Sequence, residues 1–228
     1  MNIRTAAVVC IALVCALWLA PSTAGEKENQ RARDAVTVLD EIMRMPEQAI
    51  PQRLLRDARA IAIIPNVVKA GFVVGGRAGK GVVMVKTTDG TWSNPSYIKL
   101  AGASVGFQAG VQATDVVLVF RSQRGVATIV NGKFTLGADA SVAAGPVGRT
   151  AAASTDGDLE AEIYSYSRAR GLFAGVALDG AVISIDNRAN QAVYGRNTTA
   201  RAVIEGRVGR PDEAIVDLRD RLEEYSAR

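Results

Sequence analysis

Apolar and polar residues recur along this chain with two different periods, and the switch between them divides it into three parts. Between residues 30 and 59, Ala32, Ala35/Val36, Leu39 and Ile42/Met43 fall at helical spacing with charges between them, which predicts an amphipathic helix. Pro46 ends that helix. Pro51 stands where a second, short helix over Gln52–Arg59 would take its first turn. Between residues 60 and 195 the signals are those of strands. Ala60–Ile64 is a β-branched run that ends at Pro65. Val82–Lys86 and Tyr97–Leu100 are further strands, and Thr88-Asp89-Gly90 makes a turn between them. Val116–Phe120 and Val126–Val130 flank a turn at Ser122–Gly125. Asn131-Gly132 predicts a type I′ hairpin into Phe134-Thr135-Leu136, and Asp179-Gly180 another between Gly175–Leu178 and Ala181–Ile185. Asn187–Gln191 reads as a loop or a single turn. Helical spacing returns over residues 198–226, where Pro211, Asp212 and Glu213 open a helix with the stripe Ile215, Leu218, Leu222 and Tyr225.

Glycine modifies the middle part. Gly71/Gly75/Gly79, Gly102/Gly106/Gly110 and Gly171/Gly175 recur at a spacing of four. On a strand that spacing keeps them on one side, where the strand can bend and another backbone can approach closely. Blocks starting at Gly71, Gly102, Gly137 and Gly171 read either as a weak internal repeat or as the rhythm of hairpins in a rolled sheet. The expected fold is α+β: a strongly curved, glycine-rich antiparallel sheet or small barrel with helices at both ends. It forms one domain over residues 25–228.

The segment before that domain has its own pattern. Arg4 precedes an uncharged stretch from Ala6 to Ala20, and Ser22-Thr23-Ala24 follows. This is the layout of a secretory signal peptide over residues 1–24. Its apolar run is shorter than the roughly 20 residues of a membrane-spanning helix. A retained anchor and a lipid-modified cysteine are the alternatives, although Val9 and Val14 precede Cys10 and Cys15 where a lipoprotein signal takes a small residue. The expected location is therefore outside the cytoplasm, in a periplasm or secreted, with peripheral membrane association.

Composition narrows the chemistry. There is no histidine, and the two cysteines both lie in the leader. Imidazole acid–base catalysis, Ser-His-Asp and Cys-His pairs and the usual His ligand sets are excluded. Net charge is uneven: zero from residue 25 to 62, +5 from 66 to 124, −3 from 125 to 162, +3 from 163 to 201 and −2 in the remainder. Ser96-Tyr97-Ile98-Lys99 has the S-x-x-K spacing of penicillin-interacting enzymes, but Pro95 and the β-like residues within it predict an extended segment, with the two side chains on opposite sides. Gly75–Gly81 looks like a phosphate loop but carries Gly81 where Ser or Thr is required. It is either an anion-binding nest with Arg77 and Lys80 or a bent strand. Asp156, Asp158, Glu160 and Glu162 fit a solvated turn better than a calcium loop. Tyr164–Arg170 alternates aromatics with cations, which reads as core-facing tyrosines with outward arginines or as a lipid-headgroup surface. Trp92 suits a turn aromatic or an interfacial anchor.

Several of these motifs stand in a recognisable order. They are Ile61–Pro65, Lys69-Ala70-Gly71-Phe72, Gly75–Gly81, Asp89–Pro95, Gly106–Thr114, Leu136–Ser141, Ala144–Arg149 and Ser165–Val176. From Ala60 to Gly195 the chain resembles the SYLF domain family, first described as a yeast actin-binding domain and found in endocytic proteins. The resemblance implies a non-enzymatic lipid-binding domain, with phosphoinositide binding in eukaryotic members and exported small members in bacteria. Anionic lipid or a membrane surface is the expected partner. Neither actin nor nucleic acid is expected to meet an exported chain, and no cofactor is expected. Charge and motif position nominate Lys69, Arg77, Lys80, Arg149, Arg168 and Arg170 as lipid-binding residues. The second reading is an envelope protein-interaction or scaffolding protein.

Overall fold

The computed structural model describes residues 25–45, 49–71, 74–105, 110–145, 161–169, 172–173 and 178–227. Two helices open it, α1 (Glu26–Met43) and α2 (Gln52–Asp57). Four long or medium strands follow: β1 (Ala60–Gly71), β2 (Val74–Val85), β3 (Ser96–Val105) and β4 (Gly110–Phe120). Then come α3 (Gln123–Val130), β5 (Lys133–Thr135), β6 (Val142–Ala144), β7 (Ile163–Ala169), β8 (Leu172–Phe173) and β9 (Val182–Ile185). Helices α4 (Asn187–Tyr194), α5 (Ala200–Ile204) and α6 (Glu213–Ala227) complete the described elements.

The strands form one sheet in the order β5-β9-β3-β2-β1-β4-β7-β6, with β8 on β7. Every pairing is antiparallel except β6 with β7. The sheet is strongly curled. Phe120 on β4 and Phe134 on β5 have four strands between them in this order, yet their ring centroids lie 5.9 Å apart. In a flat sheet, at about 4.8 Å per strand, they would be roughly 24 Å apart. The expected curved α+β architecture is thus present as a half-barrel.

Curling gives the sheet an inside and an outside, each with its own core. Inside lie Ile64, Ile98, Leu100, Leu118, Phe120, Phe134 and Ile183, with Val126 and Ile129 of α3 filling the roll. Outside lie Ile61, Ile63, Val82, Met84, Tyr97, Val117, Val119, Tyr164 and Tyr166. They are covered by Ala32, Ala35, Leu39 and Ile42 of α1, Leu54 and Leu55 of α2, and Leu218 and Leu222 of α6. The helix stripes predicted from spacing are therefore the surfaces that pack. Trp92 joins this outer core, 2% exposed, and its Nε1 donates to Ser226 Oγ at 3.0 Å. Asn190, fully buried, ties α4 to β3 by accepting from the Tyr97 N–H and donating to Ser96 Oγ.

Four local expectations are corrected. Strand β1 does not end at Pro65 but runs on to Gly71. Its pairing with β4 shifts by one residue between Ile64 and Val67, and that with β2 between Ile63 and Val68. Pro65 and Asn66 form this bulge, where a residue without an N–H costs no ladder bond. Asn66 takes a left-handed φ of 49°, and its N–H is satisfied by Asp115 Oδ1 at 2.9 Å. Val126–Val130 belongs to helix α3 rather than a strand, because Val126, Ile129 and Val130 also fit a helical period and the Ser122 hydroxyl caps it by accepting from the Gly125 N–H. Asn131-Gly132 consequently ends that helix instead of turning a hairpin. Asn187–Gln191 is part of the two-turn helix α4, whose N-terminus Asp186 caps through the Ala189 N–H. Asp179-Gly180 does form a turn, and Val182–Ile185 leads on to pair with β3 and β5; Gly175–Ala177, like Pro46, lies outside the described residues.

The bulge needs side-chain-free neighbours. A Cβ on Gly81 would lie 2.2 Å from the Ile63 carbonyl oxygen, and one on Gly79 would lie 2.9 Å from both Ile64 Cγ2 and Val67 Cγ2. Gly81→Ala is therefore expected to destabilise the fold by about 3 kcal/mol, read as a lowered urea midpoint at unchanged slope. A second expectation concerns alkali. Burial holds the phenols of Tyr97, Tyr166 and Tyr194 far above the ordinary tyrosine range. Above about pH 10 the unfolded chain releases these protons while the folded chain keeps them, so stability falls as pH rises. Phenolate absorbance from these three residues should appear together with loss of circular dichroism rather than before it.

A basic cleft beside the first helix

Helix α1 lies across the outer face of the sheet. Near its start the Tyr97 hydroxyl of β3 donates to the Glu28 carbonyl at 3.1 Å, and near its end Glu41 meets Arg168 of β7. Beside the helix the sheet presents a polar row. Arg168 sits opposite Asp115, Asp115 lies beside the β1 bulge, and Lys80 sits opposite Lys99 on the far side of it.

The two ends of this row differ in charge. At the β7 end Arg168 is ion-paired with Glu41 and with Asp115, the latter at 3.6 Å. At the β3 end a cleft of about 540 Å³ opens between helix and sheet. Lys27, Arg31 and Asp34 line it from α1, Lys80 from β2 and Lys99 from β3, and its floor is Gly79, Ala78 and Ala101. Residues 27, 31 and 34 share one helix face by their spacing. Four cations thus meet one carboxylate in the lining.

Asp186, buried beneath, offsets part of this charge. Its carboxylate lies 3.0 Å from Lys99 Nζ and 3.9 Å from Arg31 Nη1 while it caps α4. Arg31 also stacks over the Tyr97 ring at 5.4 Å. Its Nη1 is buried without a hydrogen-bond acceptor, since 3.9 Å exceeds hydrogen-bond range. Lys27 and Lys80 are exposed, and among the described residues no carboxylate comes within ion-pair distance of either. The arrangement can receive an anion of the size of a phosphate group: two exposed ammonium groups, one held ammonium and one fixed guanidinium.

Sequence-nominated residues divide among several places. Lys80 is in the cleft. Lys69 and Arg77 sit opposite each other on β1 and β2, but on the inner side of the sheet, by the same alternation that turns Val67 inward. Burial lowers the Arg77 pKa, against which Asp179 acts. Arg168 is not an outward cation as its motif suggested: it follows Tyr164 and Tyr166 on the outer face at even spacing and is claimed by Glu41 and Asp115. The tyrosines themselves are core residues, as their alternation predicts. Arg149 and Arg170 lie outside the described residues, as do Asp156, Asp158 and Glu160. Gly75–Gly81 is strand rather than phosphate nest, its backbone paired with β1 and β3. The Ser96 hydroxyl is held by Asn190 and the Lys99 ammonium by Asp186, and the alternation of β3 sets the two side chains on opposite faces of the strand.

Lys27, Arg31 and Lys99 were not nominated from sequence. A signal for the first two existed in the helical spacing of Lys27, Arg31 and Asp34; nothing local in the sequence places Lys99 against them. Among the described residues no group of three or more acidic or cysteine side chains could hold a metal ion, and no helix is long and apolar enough to cross a membrane.

Comparison with known proteins agrees with the motif order. A family profile described as "Las17-binding protein actin regulator" (Ysc84) matches residues 101–225. The chain is 43% identical over 175 residues to LAS seventeen-binding protein 3 of Saccharomyces cerevisiae, covering 75% of this chain and 38% of that protein. It is 43% identical over 177 residues to Protein YSC84 of the same yeast, covering 76% and 37%. With the human SH3 domain-containing YSC84-like protein 1 it shares 33% identity over 206 residues, 88% of this chain and 60% of the other. The chain therefore spans less than two thirds of the length of these curated relatives. With more than half of its 228 residues under the family profile, this chain belongs to the Ysc84-type SYLF family.

Proposed function

We propose that this chain is a non-enzymatic, exported binding protein that engages the phosphate groups of anionic phospholipid at a membrane surface. The observation that carries this reading is the cleft, where Lys27, Arg31, Lys80 and Lys99 converge from three elements with Asp34 as the one carboxylate in the lining. Each basic group near an anionic surface contributes about 1 kcal/mol, reduced by salt within a Debye length. With Lys99 paired to Asp186 and Arg31 lying near Glu28 and Asp186, the two unpaired lysines and the partly offset Arg31 and Lys99 give a reversible, salt-sensitive association rather than a permanent anchor. The buried Nη1 of Arg31, lacking an acceptor, supports an anionic oxygen as occupant. The leader-like residues 1–24 support export. The absence of histidine, together with the engagement of Ser96 and Lys99 elsewhere, supports a protein that binds without reacting.

A second reading, a protein-binding or scaffolding role in the envelope, draws on the printed name of the yeast relative, which binds Las17. It would hold if the purified chain ignored lipid vesicles of every composition yet retained one protein partner.

Sedimentation with vesicles of graded anionic lipid content tests the lipid reading. Bound fraction should rise with anionic content and fall with added salt. Lys80→Glu should weaken it by at least about tenfold, as expected for reversal of one charge at such a surface. Equal binding to neutral and anionic vesicles would sink the electrostatic mechanism. Arg168→Gln provides the contrast. It removes a partly buried, doubly paired cation and should cost about 2 kcal/mol of stability in a thermal melt, with vesicle binding by the folded protein unchanged.

A further inference from the structure

Beyond the cleft, the outer face of the sheet continues past α1 with a composition that inverts the usual rule. Ala113, Val68, Ala78 and Ala101 stand in register across β4, β1, β2 and β3, and Ala70, Gly76 and Ala103 form the next row. All seven are exposed, Val68 at 40%. A sheet with one wet face ordinarily turns its polar residues to that face and its apolar ones inward. Along these two rows the strands turn Lys69, Arg77 and Thr114 inward and present Ala, Val and Gly outward.

The two rows span about 15 Å across four strands and about 7 Å along them. They begin where Lys80 and Lys99 end, and Ala78 and Ala101 belong both to this plane and to the cleft floor. An apolar plane thus adjoins a cationic rim. The seven residues are Ala, Val and Gly and offer a protein partner none of the aromatic or arginine anchors on which tight protein interfaces depend. A bilayer interface needs no such anchors. It offers phosphates at one depth and hydrocarbon just below, the same order as the rim and the plane.

We propose that this Ala/Val face is the membrane-contacting plane of the molecule, lying on the glycerol and upper acyl region of an anionic bilayer while the cleft cations hold lipid phosphates. This rests on the lipid reading above and adds the orientation: α1 lies beside the bilayer and the β1–β4 end of the sheet points toward it.

The test is fluorescence of Ala103→Trp in the full chain, titrated with phosphatidylglycerol-rich vesicles whose acyl chains are brominated, with the unsubstituted chain as background for Trp18 and the buried Trp92. A blue shift and bromine quenching beyond that background are expected. Val68→Ser, a smaller change at an exposed site, should weaken sedimentation with the same vesicles about tenfold, from loss of one valine's burial. It should leave binding to soluble glycerol phosphate unchanged. If the chain and Lys80→Glu behave as the lipid reading expects, but the introduced tryptophan is unshifted and Val68→Ser binds vesicles normally, the plane does not touch the membrane and only the orientation falls. If the unsubstituted chain binds no anionic vesicle, both proposals fall. A tryptophan shift that requires an added protein rather than vesicles would also overturn this one, and would make the face a protein interface.

Discussion

One close backbone approach governs the rest of this structure. At Pro65-Asn66, strand β1 carries an extra residue against both of its neighbours, and β2 admits it because Gly79 and Gly81 have no side chains there. Since side chains alternate along a strand, one inserted residue moves every later side chain to the opposite face. Before the bulge, Ile61 and Ile63 face the helices. After it, Val67 faces the inside of the curl and Lys69 follows it, while Val68 and Ala70 are turned out to solvent. The bulge thus separates a half of the sheet that is sealed under helices from a half that is left bare.

Helix α1 marks the line between those halves, and its charges are read against the polar row beneath it. At one end Glu41 and Asp115 are both committed to Arg168, so the charges there cancel and hold the helix to the sheet. At the other end Arg31 and Lys99 share the buried Asp186, while Lys27 and Lys80 reach into open cleft. Chemically similar arginines and lysines therefore have different tasks. Arg168, between two carboxylates, is part of the framework; Arg31 is fixed near Glu28 and Asp186 but keeps Nη1 without an acceptor; Lys27 and Lys80 have no carboxylate within ion-pair distance among the described residues.

How far the residues foretold this depends on range. The amphipathic spacing of Ala32, Ala35, Leu39 and Ile42 identifies a packing face whatever it packs on, and α1 buries those residues. The same holds for Leu218 and Leu222 of α6 and for Tyr164 and Tyr166 of β7. Val126–Val130 misled because three apolar residues at that spacing suit a short helix as well as a strand, and the cap at Ser122 decided between them. Pro65 misled because a proline ends a regular strand but suits a bulge. Of the nominated cations, Lys80 entered the cleft, whereas Lys69 and Arg77 were carried to the other face and Arg168 was taken up by Glu41, a residue far away in the chain.

The sequence alone determined the class of fold, the curvature implied by its glycines, the family membership written in its motif order, and the exclusion of histidine and cysteine chemistry from the domain. These follow from composition and from periods shorter than a turn or a strand, which no distant contact alters. Tertiary structure alone decided which cations share a site. Lys27 and Arg31 meet Lys80 and Lys99 only because α1 crosses β2 and β3 at that row, and the row exists only in the register that the bulge imposes. Net charge can be counted along a chain, but whether each charge is neutralised depends on neighbours that folding brings from elsewhere.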